Sequence, residues 1–203
     1  MKGCLIAAGV ALLALLLVGG CGVGTYNGII AKDEVVTATW SKIQSQYQRR
    51  FDLIPELVET VKGAAGFEQS TLTQITEARA SVGKLTLTKE ALEDPTKLQA
   101  FFQAQDQLSG ALQRLMVVAE NYPTLKATGN FVALQDELAG TENRIATARH
   151  DYIDAVNAYN VAIRRFPGTL VAGLFGFAPK AQLEVPAGAT ERPEVKFDFG
   201  KSK

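Results

Sequence analysis

The stretch Val36–Val61 reads VTATWSKIQSQYQRRFDLIPELVETV, and its apolar spacing decides the fold. Val36, Trp40, Ile43, Tyr47, Arg50, Ile54, Leu57 and Val61 follow one another at alternating intervals of four and three residues. At about 3.6 residues per turn, that spacing lines these side chains along one helix face. The phase continues through Ala65, Glu68, Leu72, Ile75, Arg79 and Val82. It predicts one long helix bent near Gly63 and Gly66. The alternative is a break at those glycines that turns the helix into a hairpin.

Downstream of Gly83 the pattern restarts. Asp94-Pro95 reads as a helix start, with Asp94 as N-cap and Pro95 in the first helical position. The next seam is Leu98, Phe101, Gln105, Leu108, Leu112, Leu115, Ala119 and Tyr122, and Pro123 and Gly129 then mark a short turn. Asn130 is positioned to cap a third helix with the seam Phe131, Leu134, Leu138, Thr141, Ile145, Ala148, Tyr152, Ala155, Tyr159, Ala162 and Phe166. Pro167-Gly168 ends it. The expectation is an all-α protein, an antiparallel bundle of three long helices, the first able to split and give four. Helix parity sets where the chain ends. With three helices Phe166 lies far from the N-terminal segment, and with four it returns towards it.

Three regions follow: an N-terminal segment over 1–25, a helical bundle over 26–177 and a proline-containing, flexible tail over 178–203. Gly3 through Ala31 carry no charge, and Cys4–Val23 reads CLIAAGVALLALLLVGGCGV. About twenty such residues span about 30 Å, the thickness of a hydrocarbon core. A single charge there would cost about 2.5–3.5 kcal/mol, so the segment is an N-terminal membrane helix or a secretion signal. Val18-Gly19-Gly20-Cys21 resembles a bacterial lipobox, with Cys21 as the acylated residue. Its valine and Gly19 depart from the commonest choices. An uncleaved helix with Cys21 as a small residue at its end is the other reading. Basic residues near the run are too few to orient it, and a lipoprotein route would put the bulk outside the cytoplasm, on the periplasmic side.

Composition narrows the chemistry. The 21 basic residues balance the 21 acidic ones, which argues against a nucleic-acid partner. Both cysteines, Cys4 and Cys21, lie in the N-terminal segment, and His150 is the only histidine. The bundle therefore lacks thiol chemistry and cannot build a two-histidine metal centre. No phosphate loop or dinucleotide fingerprint is present, so no cofactor, metal or catalytic residue is assigned.

The interaction candidates are Arg49, Arg50, Asp52, Pro55, Glu68 and Arg79. Arg50 stands where a leucine would pack, and a buried guanidinium needs a carboxylate. Glu137, Glu142, Asp151 and Asp154 are candidate partners; the other readings are a solvated edge position or an anion-binding site. Pro55 leaves the Phe51 carbonyl without its helical donor, and Arg49, Arg50 and Asp52 cluster beside it. Glu68 and Arg79 share a face and are expected to pair. The seam tyrosines Tyr47, Tyr152 and Tyr159 are core aromatics whose hydroxyls need partners. Thr169–Phe177, TLVAGLFGF, offers Leu170, Val171, Leu174, Phe175 and Phe177 as a docking segment. It either folds over the bundle end or touches a membrane or partner, being too short to span a bilayer. Beyond it, Val195–Phe199 alternates like a short strand.

WSKIQSQYQRRFDLIPELVETVKG over 40–63 resembles the signature of the LemA family, as do EARA around Arg79, RRFPGTLVAGLFGF from Arg164, and Tyr26-Asn27 after the apolar run. The likeness covers Tyr26 to Phe177. It implies an N-terminally anchored bacterial helical bundle with no family-wide enzymatic activity, and one family branch is linked to magnetosome membranes. The glycine-rich, cysteine-bearing anchor departs from the plain Ile/Leu/Val anchors of the family. The expected function is a membrane-tethered, non-catalytic scaffold or adaptor that contacts another envelope protein, with a homo-oligomer also open. The alternative is a receptor-like module taking an anionic ligand or lipid headgroup at Arg49 and Arg50.

Overall fold

The computed structural model describes residues 2–64, 66–85 and 94–182. The Val195–Phe199 alternation falls outside them. The described residues form six helices: α1 (Lys2–Lys62), α2 (Gln69–Gly83), α3 (Pro95–Ala119), α4 (Pro123–Lys126), α5 (Gly129–Arg164) and α6 (Gly168–Phe175). α1 has 61 residues, about 90 Å at the usual rise. It runs from the apolar N-terminal stretch into the bundle without interruption. The exposed side chains of that stretch include Leu12, Leu13, Leu15, Leu16 and Leu17, which no other described part of the fold covers. Among the described helices, α1 alone is long and apolar enough to cross a membrane.

The expected single bent helix is instead a hairpin. α1 stops at Lys62, Gly66 adopts φ of 78°, and α2 runs back beside α1. Glycine takes that left-handed backbone without steric cost. Tyr122 closes the turn by donating its hydroxyl to the Gly66 carbonyl at 2.9 Å, its ring 4.9 Å from that of Phe67. The bundle therefore has four long helices in up-down-up-down order. Phe166 returns to the end where the apolar stretch enters.

α3 begins as its sequence indicates: Asp94 Oδ1 accepts from the Thr96 and Lys97 amides at 3.0 and 3.3 Å, and Pro95 opens the helix. Those amides hold the Asp94 carboxyl below its ordinary pKa. Two boundaries differ from expectation. The Pro123–Gly129 turn contains the short helix α4, and α5 starts at Gly129, so Asn130 lies inside its first turn and does not cap it. The preceding Thr128 turns its hydroxyl back to the Leu125 carbonyl at 2.7 Å.

Every α1 seam position from Val36 to Val61 is buried. The core divides into two clusters. The far one joins Ile54, Leu57 and Val61 to Leu72, Ile75, Leu108, Leu115, Phe131 and Leu138. The near one joins Ile29, Val36, Trp40, Ile43 and Tyr47 to Leu98, Phe101, Phe102, Tyr152 and Tyr159, with Val171 of α6. α2 reaches only the far cluster, so aromatic volume fills the near half. Trp40 lies 5.8 Å from Phe101 and 5.5 Å from Tyr152, and Tyr47 lies 5.5 Å from Phe101. Edge-on and tilted ring pairs of this kind favour such packing beyond area burial alone.

Residues placed with the tail by composition are held on the bundle. Asn160 exchanges two hydrogen bonds with the Lys180 backbone at 2.9 Å each, and Tyr159 donates to the Ala178 carbonyl at 3.1 Å. Lys180 reaches Asp33 on α1 at 2.7 Å. The Tyr47 and Tyr152 hydroxyls, by contrast, meet no hydrogen-bond partner among the described residues. Burial pushes both phenols up to about 12.

Two outcomes follow from this packing. A Cβ at Gly168 would collide with the Ala162 carbonyl oxygen, which is backbone and cannot swing aside. Gly168→Ala should therefore destabilise the full-length protein by about 1–3 kcal/mol, read from denaturant midpoints in detergent. The buried phenols also make stability pH-dependent. The folded state keeps its protons up to about 12 while the unfolded tyrosines lose theirs near 10, so stability is intact below pH 10 and falls from there towards 12. Thermal midpoints of Tyr152→Phe across that window should decline less steeply than wild type. Equal slopes would show that Tyr152 does not carry the effect.

Candidate functional site

Arg50 sits on the α1 face that α3 and α5 cover, 1% exposed, between the two apolar clusters. Its Nη1 donates to Glu142 Oε1 at 2.7 Å and to Ser109 Oγ at 2.5 Å. Nη2 donates to the Gln105 side-chain oxygen and, at 3.3 Å, to the Gln105 carbonyl. Ser109 in turn donates to Glu142 Oε2 at 3.3 Å, and the Tyr47 ring lies 5.1 Å from the guanidinium carbon. Of the four acidic candidates named from sequence, Glu142 takes the role. Its side chain is 38% exposed, so the carboxylate keeps part of its hydration while the guanidinium loses nearly all of its own. Gln105 and Ser109 were not identified as partners. The readable signal was Gln105 itself, a polar residue on the α3 seam.

Arg49 is outside this layer and pairs with Glu137 at 2.6 Å on the α1–α5 surface. Asp52 accepts from Gln48 at 2.7 Å within α1. Both arginines of the pair are thus already engaged by carboxylates.

α1 continues through Pro55. The Phe51 carbonyl that Pro55 cannot serve is met by Arg79 of α2, whose Nε donates to it at 3.5 Å while its guanidinium stacks 3.9 Å from the Phe51 ring. The expected Glu68–Arg79 pair does not form. Glu68 lies exposed at the N-terminus of α2 and accepts from Ser70. Arg79 goes to the one backbone oxygen that the proline leaves open.

A cleft of about 340 Å³ opens beside the arginine layer between α1, α2 and α3, lined by Gln44, Tyr47, Gln48, Phe51, Phe101 and Gln105 among others. Its polar groups are amides and one high-pKa phenol, which cannot exchange protons at neutral pH. Among the described residues, no group of three or more His, Cys, Asp or Glu side chains could hold a metal ion.

The segment Leu170–Phe177 divides by face. Val171 and Ala172 are buried on the near core, and Phe177 packs partly against it. Leu170, Leu174 and Phe175 are 65%, 80% and 58% exposed. Phe166, read as the last seam position of α5, is 83% exposed, because α5 ends at Arg164. Cys21 is exposed on α1 and lies within the helix, its carbonyl accepting from Thr25 at 2.8 Å.

Removing the Arg50 guanidinium strands Glu142, Gln105 and Ser109. Arg50→Ala should lower unfolding free energy by about 1–3 kcal/mol, the cost of buried acceptors left unmet while the part-exposed Glu142 rehydrates. Arg50→Lys should recover only part of the loss, because one ammonium cannot serve acceptors placed for a planar fork. Guanidinium titration of the full chain in detergent, followed by Trp40 emission, measures both. A wild-type midpoint for Arg50→Ala would show that the layer is not structural.

The matching family model, described as LemA family, covers residues 39–197. The magnetosome proteins MamQ 1 and MamQ 2 of Paramagnetospirillum magneticum are each 30% identical over 182 residues, covering 81% of this chain and 67% of theirs. Protein LemA of Metamycoplasma hominis is 25% identical over 150 residues, covering 74% of this chain and 64% of that protein. The match takes in α1 beyond its apolar stretch, the arginine layer and α6, and the chain belongs to the LemA family.

Proposed function

We propose that the chain is a membrane-tethered, non-catalytic scaffold acting through protein–protein contacts at the cell envelope. The observation that carries this reading is the continuity of α1. One helix joins a stretch of membrane-spanning length to a bundle locked by a buried ion pair, so the bundle is held stiffly relative to the tether. A hinged module would have a flexible connection at that point. The charged groups of the bundle also favour the scaffold over an anion receptor. Arg49 and Arg50 are spent on Glu137 and Glu142, leaving no free cationic pair between them to meet an anion. The names of the MamQ relatives place those proteins with a cellular structure, the magnetosome, which supports a role in organisation.

Chemical cross-linking of the full-length protein in native membranes tests the proposal. A scaffold gives a discrete heteromeric adduct of constant mass across cross-linkers of different length. The adduct should weaken when a flexible Gly/Ser insertion after Ala31 uncouples tether from bundle. Only self-adducts, or a heteromeric adduct indifferent to the insertion, would overturn the rigid-scaffold reading.

A further inference from the structure

We infer that α6 and the turn before it form a second membrane contact, a foot that rests in the headgroup boundary of the bilayer that α1 crosses. The inference rests on the proposed membrane span of α1 and adds to it a fixed orientation of the bundle. Three observations converge on one end of the molecule.

The first is position. The Phe175 ring lies 4.7 Å from the Tyr26 ring, and Phe177 lies 5.6 Å from it. Tyr26 is three residues beyond Val23, where the apolar run ends, so α6 sits about 5 Å along the axis from that edge. The first charged residues of α1 after that run, Lys32 and Asp33, come about 9 Å further on. α6 thus lies between the expected hydrocarbon edge and the first charges, the depth that interfacial helices occupy.

The second is the face presented. Leu170 and Leu174 lie four residues apart on one face of α6, and with Phe166 in the turn before it all are more than half exposed. Val171 and Ala172, on the opposite side, are buried against the near core. Solvated apolar side chains of this size, grouped at one end of a bundle, mark a covered surface.

The third is the flanking chemistry. Arg164 and Arg165 are exposed immediately before Phe166, while Tyr26 and Phe175 supply aromatic rings at the same level. Cationic side chains that reach headgroup phosphates, next to aromatic and aliphatic groups that enter the acyl boundary, suit a lipid surface. A protein partner at this height would have to displace the bilayer around the tether.

The test uses the full-length protein in vesicles of phosphatidylcholine and phosphatidylglycerol in two matched sets, one with acyl chains brominated near the interface for the foot and one brominated deep in the chains for the apolar run, each quenching nearby indoles. Trp40 is buried about 21 Å further along α1 than Tyr26 and gives an unquenched internal reference. Three single substitutions at exposed sites are compared: Leu174→Trp in the foot, Leu13→Trp in the apolar run, and Val132→Trp near the far end of α5. Leu174→Trp should lose at least about half of its added emission, with Val132→Trp unaffected, as expected for a side chain in the acyl boundary. Quenching of Leu13→Trp without quenching of Leu174→Trp would keep the span and overturn the foot. No quenching of Leu13→Trp would overturn the span and, with it, this inference. Blue-shifted, unquenched Leu174→Trp emission that strengthens with protein density would mean that a second copy covers the face, and would also overturn it.

Discussion

A guanidinium removed from water needs acceptors, and in this bundle that requirement falls on Arg50, whose Nη1 and Nη2 are met while its Nε has no hydrogen-bond partner among the described residues. The acceptors come from two other helices, Gln105 and Ser109 from α3 and Glu142 from α5. Sliding any of the three helices by a turn would move its contribution about 5 Å and leave a charge uncompensated in the interior. An apolar seam alone tolerates such slips, because one leucine packs much like another. The polar layer thus sets the register, and the two hydrophobic clusters on either side inherit it. The layer is not itself a large source of stability, since desolvation offsets much of the attraction. Its effect is to make alternative registers costly.

The same logic of unmet backbone groups explains the far half. Pro55 cannot donate to the Phe51 carbonyl, and Arg79 from the returning helix α2 does so instead, stacking on the Phe51 ring. The hairpin at Gly63–Gly66 is what brings α2 to that place. The near half has no α2, and large rings occupy the space a fourth helix would have filled. Below them, α6 and residues 178–182 close the end where α1 leaves the bundle, with Lys180 ion-paired to Asp33.

These placements bear on function by showing where the reactive groups have gone. The seam arginine Arg50 is held in the register layer, the surface arginine Arg49 is paired, and two seam tyrosines are held as neutral phenols. At the end beside the tether, Phe166, Leu170 and Leu174 stay exposed. A protein arranged this way offers shape and position to its surroundings, in keeping with the proposed scaffold.

Much of this was legible along the chain. Heptad spacing marked the buried faces of the long helices; Asp94-Pro95 marked the start of α3; the charge-free run marked the tether; and Arg50 stood out as a cation in an apolar row. These are local signals, carried by residues within a turn or two of one another, where backbone geometry alone decides which side chains share a face. The rest depended on separations that periodicity does not encode. A continuous seam phase through Gly63 and Gly66 suits a bend and a hairpin equally, and the positive φ at Gly66 with the distant Tyr122 decides for the hairpin. Which carboxylate meets Arg50 depends on how far α5 slides along α1, and four candidates were equivalent until packing chose Glu142. Phe166 continued the α5 pattern but lies outside the core, because the helix ends before it. The sequence by itself determined the long helical stretches and their buried faces, which follow from 3.6-residue periodicity, and the apolar tether, which follows from its lack of charge. Tertiary structure decided the reversal, the partners of each charge and the side on which α6 leaves its leucines exposed, since these depend on which helices meet and at what height.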